Sequence, residues 1–141
     1  MLSDKEKKLI LDICNRLSPR ASMIGADALN RLFTIFPGAK TYFSHLDISP
    51  NSAHLRFHGE KIVLAIAEAA QDISQLMVTL APLQTLHAYT LRIDPGKFKL
   101  FAHCMLVTLA CYLQEDFTEV AHAAMDKYLS AFAAVLAEKY R

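Results

Sequence analysis

Apolar residues recur at intervals of three and four along almost the whole chain, and alternating strand-like runs are absent, so this sequence has to fold as helices. Breakers set the limits of each helix. Only four glycines and five prolines occur, and every proline stands at or near an expected boundary. Ser3-Asp4-Lys5-Glu6 has the capping-box spacing that satisfies the free N–H groups of a helix start. Leu9, Ile10, Ile13, Cys14 and Leu17 form the stripe that follows, closed by Pro19. A second helix runs from about Arg20 to Phe36, with Leu29, Leu32, Phe33 and Phe36 inward, and stops before Pro37. A short helical turn then reaches Tyr42, and His45 to Asn51 reads as loop. Ser52 opens a long helix to about Ile73, and Pro82 lies near the start of a short one reaching Tyr89. Asp94-Pro95, a cap followed by proline in the first turn, opens a helix to about Tyr112. Thr118 caps the last helix. The expectation is one all-α domain over residues 1–141, with six main helices, short helical turns, and no linker or repeat.

The composition narrows what such a bundle holds. Of its residues 53% are hydrophobic, and the mean hydropathy is +0.22. Either something large and apolar is enclosed, or a partner covers part of the surface. The longest nearly apolar run, Met105 to Leu113, is too short to span a bilayer, and the first residues lack a signal-peptide core, so no membrane partner is expected. Fifteen basic and 14 acidic residues leave a net charge of +1, which is no electrostatic footprint for nucleic acid. Cys14, Cys104 and Cys111 are odd in number and form no CxxC, as expected of free thiols in a reducing cytosol. No GxSxG, P-loop, GxGxxG or paired-carboxylate motif occurs, so an enzyme is not expected.

Six histidines are the candidates for chemistry. His58 and His87 lie on different expected helices within apolar stretches, His58 one turn before Ile62 and His87 midway between Leu83 and Leu91. An apolar site with one imidazole on either side suits a flat hydrophobic cofactor with a metal at its centre. Read by spacing alone, two ordinary core or surface histidines remain the plainer account. His54 and His58, four apart, lack the glutamate of an HExxH zinc motif. Cys104 and Cys111, seven apart, read as packing residues.

Ordered motifs go further. Thr41-Tyr42-Phe43-Ser44-His45-Leu46, His58-Gly59-Glu60-Lys61, Leu86-His87-Ala88, Leu91-Arg92-Ile93-Asp94-Pro95, Phe98-Lys99-Leu100 and Lys139-Tyr140-Arg141 resemble the alpha-type chain of vertebrate haemoglobin, without gaps from residue 2 to residue 141. Met1-Leu2-Ser3, His87-Ala88-Tyr89 and the run from Leu136 to Arg141 look most like its alpha-D branch. The resemblance implies a globin fold carrying haem b, iron protoporphyrin IX, held without covalent attachment since no CxxCH occurs. It implies that His87 is the proximal iron ligand and His58 the distal histidine facing molecular oxygen. By the same resemblance Phe43 wedges the haem, His45 and Lys61 sit near its propionates, Ile62 stands beside the ligand, and Leu83, Leu86, Leu91, Ile93, Phe98 and Leu136 line the pocket.

The resemblance also implies oxygen transport in the red-cell cytoplasm, in a tetramer of two such chains with two beta-type chains. Arg31, Phe36, His103, Val107, Phe117 and His122 match the tight contact with the beta-type chain; Lys40, Asp126, Lys127 and Arg141 match ion pairs between subunits, and Tyr42 and Asp94 the sliding contact. A monomeric or homo-oligomeric globin for oxygen storage or nitric oxide and nitrite chemistry is the alternative. Several positions depart from the family. Gly38 and Ser44 flank Thr41 where bulkier residues are usual, which predicts a softer quaternary switch; a Hill coefficient near ~3 with ordinary effector sensitivity would count against it. Lys97 replaces an asparagine and Ile62 a valine. Cys14 replaces a tryptophan, so repacking is expected around it.

Overall fold

A computed structural model describes residues 2–43, 46–85 and 96–138 of the chain. Among these described residues the α-helices follow in order as α1 (Asp4–Leu17), α2 (Ala21–Ile35), α3 (Ala53–Ala69), α4 (Leu76–Thr79), α5 (Ala81–Thr85), α6 (Gly96–Leu113) and α7 (Glu119–Ala137). Tight 3-10 turns join them at Ser18–Arg20, Pro37–Phe43, Ala70–Gln75 and Gln114–Asp116, and no strand occurs among the described residues. The caps form as the sequence predicts. The Glu6 N–H donates to Ser3 Oγ at 3.1 Å while the Ser3 N–H donates to Glu6 Oε1 at 3.0 Å. Ser52 Oγ accepts from the Leu55 N–H at the start of α3, and Thr118 Oγ1 from the Ala121 N–H at the start of α7, both at 3.2 Å.

Two expectations need correcting. The long helix from Ser52 does not reach Ile73. It leaves α geometry at Ala69 and breaks at Asp72, whose backbone (φ −147°, ψ 83°) is extended. The Ser74 hydroxyl donates to the Asp72 carboxylate at 2.5 Å, a local bond of the kind that competes with the helix ladder. Phe36 does not face inward. It sits just beyond α2 with φ −128° and ψ 80°, so its side chain leaves the helical stripe and is 42% exposed. By length and composition alone, Ala53–Leu83 and Gly96–Asp116 are long and apolar enough to cross a membrane. The break at Asp72 interrupts the first. The expected extension of α5 to Tyr89 and the Asp94-Pro95 cap lie outside the described residues.

Helices α2 and α3 pack very closely where Gly25 meets Gly59. A Cβ built on Gly25 would stand 2.0 Å from the Gly59 carbonyl oxygen, so the two helices meet backbone to backbone and neither position admits a side chain. Two apolar clusters flank this crossing. The larger joins α1, α3, α6 and α7 through Ile10, Val63, Leu109, Met125 and Tyr128, all essentially without exposure. The smaller holds Leu29, Leu32, Phe33, Leu55 and Cys104. Cys14 is fully buried in the larger cluster, and burial pushes its thiol up to about 12. Tyr128, fully buried in the same cluster, donates its hydroxyl to the Ile66 carbonyl at 2.6 Å, which anchors α7 to α3.

Candidate functional site

The Gly25–Gly59 crossing fixes α3 against α2, and His58 is the residue immediately before that contact. Its imidazole is half-buried. On one side stands Phe43, from the 3-10 turn after α2, with ring centres 5.3 Å apart and planes at 79°. Phe43 in turn meets Phe33 of α2 edge-on at 5.5 Å, and Phe33 belongs to the buried core. The ring of the preceding residue, Phe57, stands 6.3 Å away at 61°. These separations are those of ordinary edge-to-face aromatic pairs.

One turn beyond His58, Ile62 touches both apolar clusters. Leu83 of α5, Phe98 of α6 and Leu136 of α7 join the larger cluster, and Phe43 joins the smaller. Five elements therefore carry these residues, and of them Ile62 is the one packed against both clusters. Lys61 lies on the solvent side of α3 with its Nζ 4.4 Å from the centre of the Phe57 ring. His45, Leu86, His87, Leu91 and Ile93 lie outside the described residues. Phe57 was not singled out by the sequence. The available signal was an aromatic directly before His58 and four residues before Lys61, on a face with no core to fill.

The donor set suits a porphyrin better than a bare ion. Among the described residues no three His, Cys, Asp or Glu side chains come together to hold a metal. A porphyrin supplies the equatorial ligands of its iron and asks the chain for an axial imidazole and an apolar slot. The half-buried imidazole of His58, near two phenyl rings and one turn before Ile62, fits the ligand side of such a group.

A second surface lies on α6 and α7. His103, Leu106, Val107, Ala110, Phe117 and His122 help line a shallow cavity of about 380 Å³. Val107 is 41% exposed, and Phe117 meets His122 edge-on at 5.5 Å. Nearby, Arg31 donates to Thr108 Oγ1 at 3.0 Å and to Cys111 Sγ at 3.4 Å, and the Tyr112 hydroxyl donates to Asp27 at 3.1 Å, so α2 and α6 are tied at the edge of this surface. Burial and the neighbouring Asp27 carboxylate both raise the Tyr112 pKa. Lys127 is held by Glu6 at 2.8 Å, within the chain. Lys97 lies over the exposed Phe36 ring, its Nζ 4.7 Å from the ring centre.

Comparison with known proteins agrees with this architecture. The globin family's sequence profile matches residues 26–136. The chain is 48% identical to haemoglobin subunit zeta of Capra hircus over 140 residues, 99% of each chain. It is 49% identical to haemoglobin subunit alpha-4 of Xenopus laevis over 140 residues, again 99% of each. Against haemoglobin subunit alpha-D of Meleagris gallopavo it is 46% identical over 141 residues, the full length of both. The profile match over most of the chain and this full-length identity, with a fold that is helical throughout its described elements, define the class: the chain belongs to the globin family. Within that family its full-length likeness is to the alpha-type haemoglobin chains, alpha-D among them.

Proposed function

We propose that the chain binds and releases oxygen as the alpha-type subunit of a haemoglobin, with non-covalently held haem b as its cofactor. The observation that carries this is His58, half-buried, edge-on to Phe43 and one turn from Ile62, in a chain that matches haemoglobin subunits over its full length. When bound, haem supplies the iron that takes up oxygen. His87 is the residue that would hold that iron.

The chain's own residues do the rest. His58 presents an N–H donor toward the ligand space, and a hydrogen bond to an acceptor carrying charge is worth ~1.5–3 kcal/mol, roughly ten- to a hundredfold in affinity. Phe43, Ile62, Leu83, Phe98 and Leu136 exclude water from the same space, with Leu86, Leu91 and Ile93 assigned to its lining by resemblance. A dry apolar pocket disfavours the charge separation that would oxidise the iron. Lys61 and His45 are assigned to the propionates. This role is that of a carrier, and it places the chain in the red-cell cytoplasm with no nucleic acid or membrane partner.

The partner in this reading is a beta-type chain. The exposed Phe36 and Val107, with His103, Phe117 and His122 around the α6–α7 cavity, offer it an apolar, partly aromatic face. Adding haem to the purified chain tests the reading. An intense Soret band that shifts reversibly with oxygen is expected, and its absence would refute the function. Mass at micromolar concentration should show assembly with an added beta-type chain; a lone monomer under those conditions would favour oxygen storage or nitric oxide and nitrite chemistry.

A further inference from the structure

We propose that the hollow between α2 and residues 48–50 is a binding site for a small hydroxy acid, a carboxylate that also carries alcohol groups. Lys40 and the Asn30 side-chain amide take the acid, and the Thr34 and Ser49 hydroxyl oxygens take the alcohols. None of the residues lining this hollow is among those assigned to haem.

Three segments make the walls. Asn30, Phe33 and Thr34 come from the second half of α2, Lys40 from the turn that follows it, and Ile48 and Ser49 from the loop before α3. They surround about 400 Å³, and small-molecule sites span roughly 300–1,000 Å³. Among the described residues Lys40 has no ion pair and the Asn30 side chain no hydrogen bond, so an ammonium and an amide are left as unspent donors. The two hydroxyls are the reverse. Thr34 Oγ1 donates its proton to the Asn30 carbonyl at 2.8 Å, and Ser49 Oγ donates to Asp47 Oδ1 at 2.7 Å. A hydroxyl has one proton and two lone pairs, so both oxygens remain as acceptors. The Ser49 N–H also donates to Asp47 Oδ1, at 3.0 Å, which holds that carboxylate on Ser49. Buried Phe33 and half-buried Ile48 supply the apolar wall.

That pattern selects among ligands. A bare inorganic anion uses the lysine and the amide but sets acceptor against acceptor at both hydroxyls. A neutral polyol uses the hydroxyls and leaves the ammonium without a counter-charge. An acid that carries alcohol groups satisfies both sets, with its C–H skeleton against Phe33 and Ile48. The Asp47 carboxylate bonded to Ser49 repels the acid and so directs it to Lys40. A charge-assisted hydrogen bond at an exposed lysine corresponds to about tenfold in affinity, and a neutral one to a hydroxyl to roughly two- to tenfold.

Nuclear magnetic resonance of the isotope-labelled, haem-loaded carbonmonoxy chain tests this, with D-glycerate as the probe at fixed ionic strength. The free chain is used, where no second subunit competes for Lys40. Saturable shifts are expected at the Asn30 side-chain amide and at the Thr34, Lys40 and Ser49 backbone amides. Lys40→Gln should weaken binding about tenfold and Ser49→Ala about twofold or more. Both positions are exposed, so neither change disturbs the core. Acetate, which lacks the alcohols, and glycerol, which lacks the acid, should each bind more weakly than glycerate. The proposal is overturned if glycerate gives no saturable shift at these positions, if acetate or glycerol binds equally well, or if Lys40→Gln or Ser49→Ala keeps the parent affinity.

Discussion

Replacing Gly25 by alanine adds one methyl group where the fold has no room. The new Cβ would stand 2.0 Å from the Gly59 carbonyl oxygen, 2.2 Å from its carbon and 2.4 Å from its Cα. Ordinary contact begins at 3.4 Å, so α2 and α3 would have to part by about 1.4 Å, the difference between 3.4 and 2.0. Both sides of the clash are backbone, with no side chain to rotate away. Overpacking of this kind typically costs ~1–3 kcal/mol, and rigid neighbours push it to the upper end. Alanine's better helix propensity offsets only ~0.5–1 kcal/mol. The net loss is then about 2 kcal/mol or more, some 6 °C in melting temperature at ~3 °C per kcal/mol for a chain of this size. Gly38→Ala is the control, because nothing lies within 4 Å of its added Cβ and no glycine has positive φ among the described residues. It should be neutral or stabilising by up to ~1 kcal/mol. The assay is thermal unfolding of the carbonmonoxy, haem-loaded proteins. Because His58 precedes Gly59, the oxygen dissociation rate should change in Gly25→Ala and not in Gly38→Ala. A Gly25→Ala melt within ~1 °C of the parent would refute the reasoning.

Three further outcomes follow from named contacts. Ile62→Val removes a methyl beside the proposed ligand space and should speed oxygen association; equal rates in the two proteins would remove Ile62 as the obstacle. Hydrogen bonds from Lys127 and from the Ser3 N–H hold the Glu6 carboxyl at about 2, below its ordinary 4.5. A folded-state value below the unfolded one contributes stability above about 4.5 that is lost as the pH falls toward about 2, so urea unfolding across that window should show a shallower acid decline in Glu6→Gln than in the parent. Identical slopes would show that the pair contributes nothing there. Tyr128→Phe removes a buried hydroxyl bond, yet the Ile66 carbonyl still accepts from the Ala70 N–H. The expected loss is therefore modest, ~0.5–1.5 kcal/mol by denaturant unfolding, and a stabilised variant would contradict it.

Much of the fold was legible in the order of residues because it depends on local chemistry. The Ser3/Glu6 box, the Ser52 and Thr118 caps and the halt before Pro37 are decided within four residues of chain, and each stands where the spacing put it. Where a local preference competed with another, the outcome was harder to read. Asp72 and Ser74 interrupt a pattern that apolar spacing alone would extend, and Phe36 belongs to the helical stripe by number while its backbone has already left the helix.

The candidate site divides in the same way. Ordered motifs and full-length likeness singled out His58, because an imidazole in that run of residues is a chemical signature a sequence can carry. They said nothing of Phe57, or of the four rings that run from Phe33 to the surface. Those contacts join α2, the turn after it and α3, and their geometry follows from two glycines, 25 and 59, that let two helices touch. A residue type is a property of the chain, whereas a distance between side chains on different helices exists only after those helices have packed.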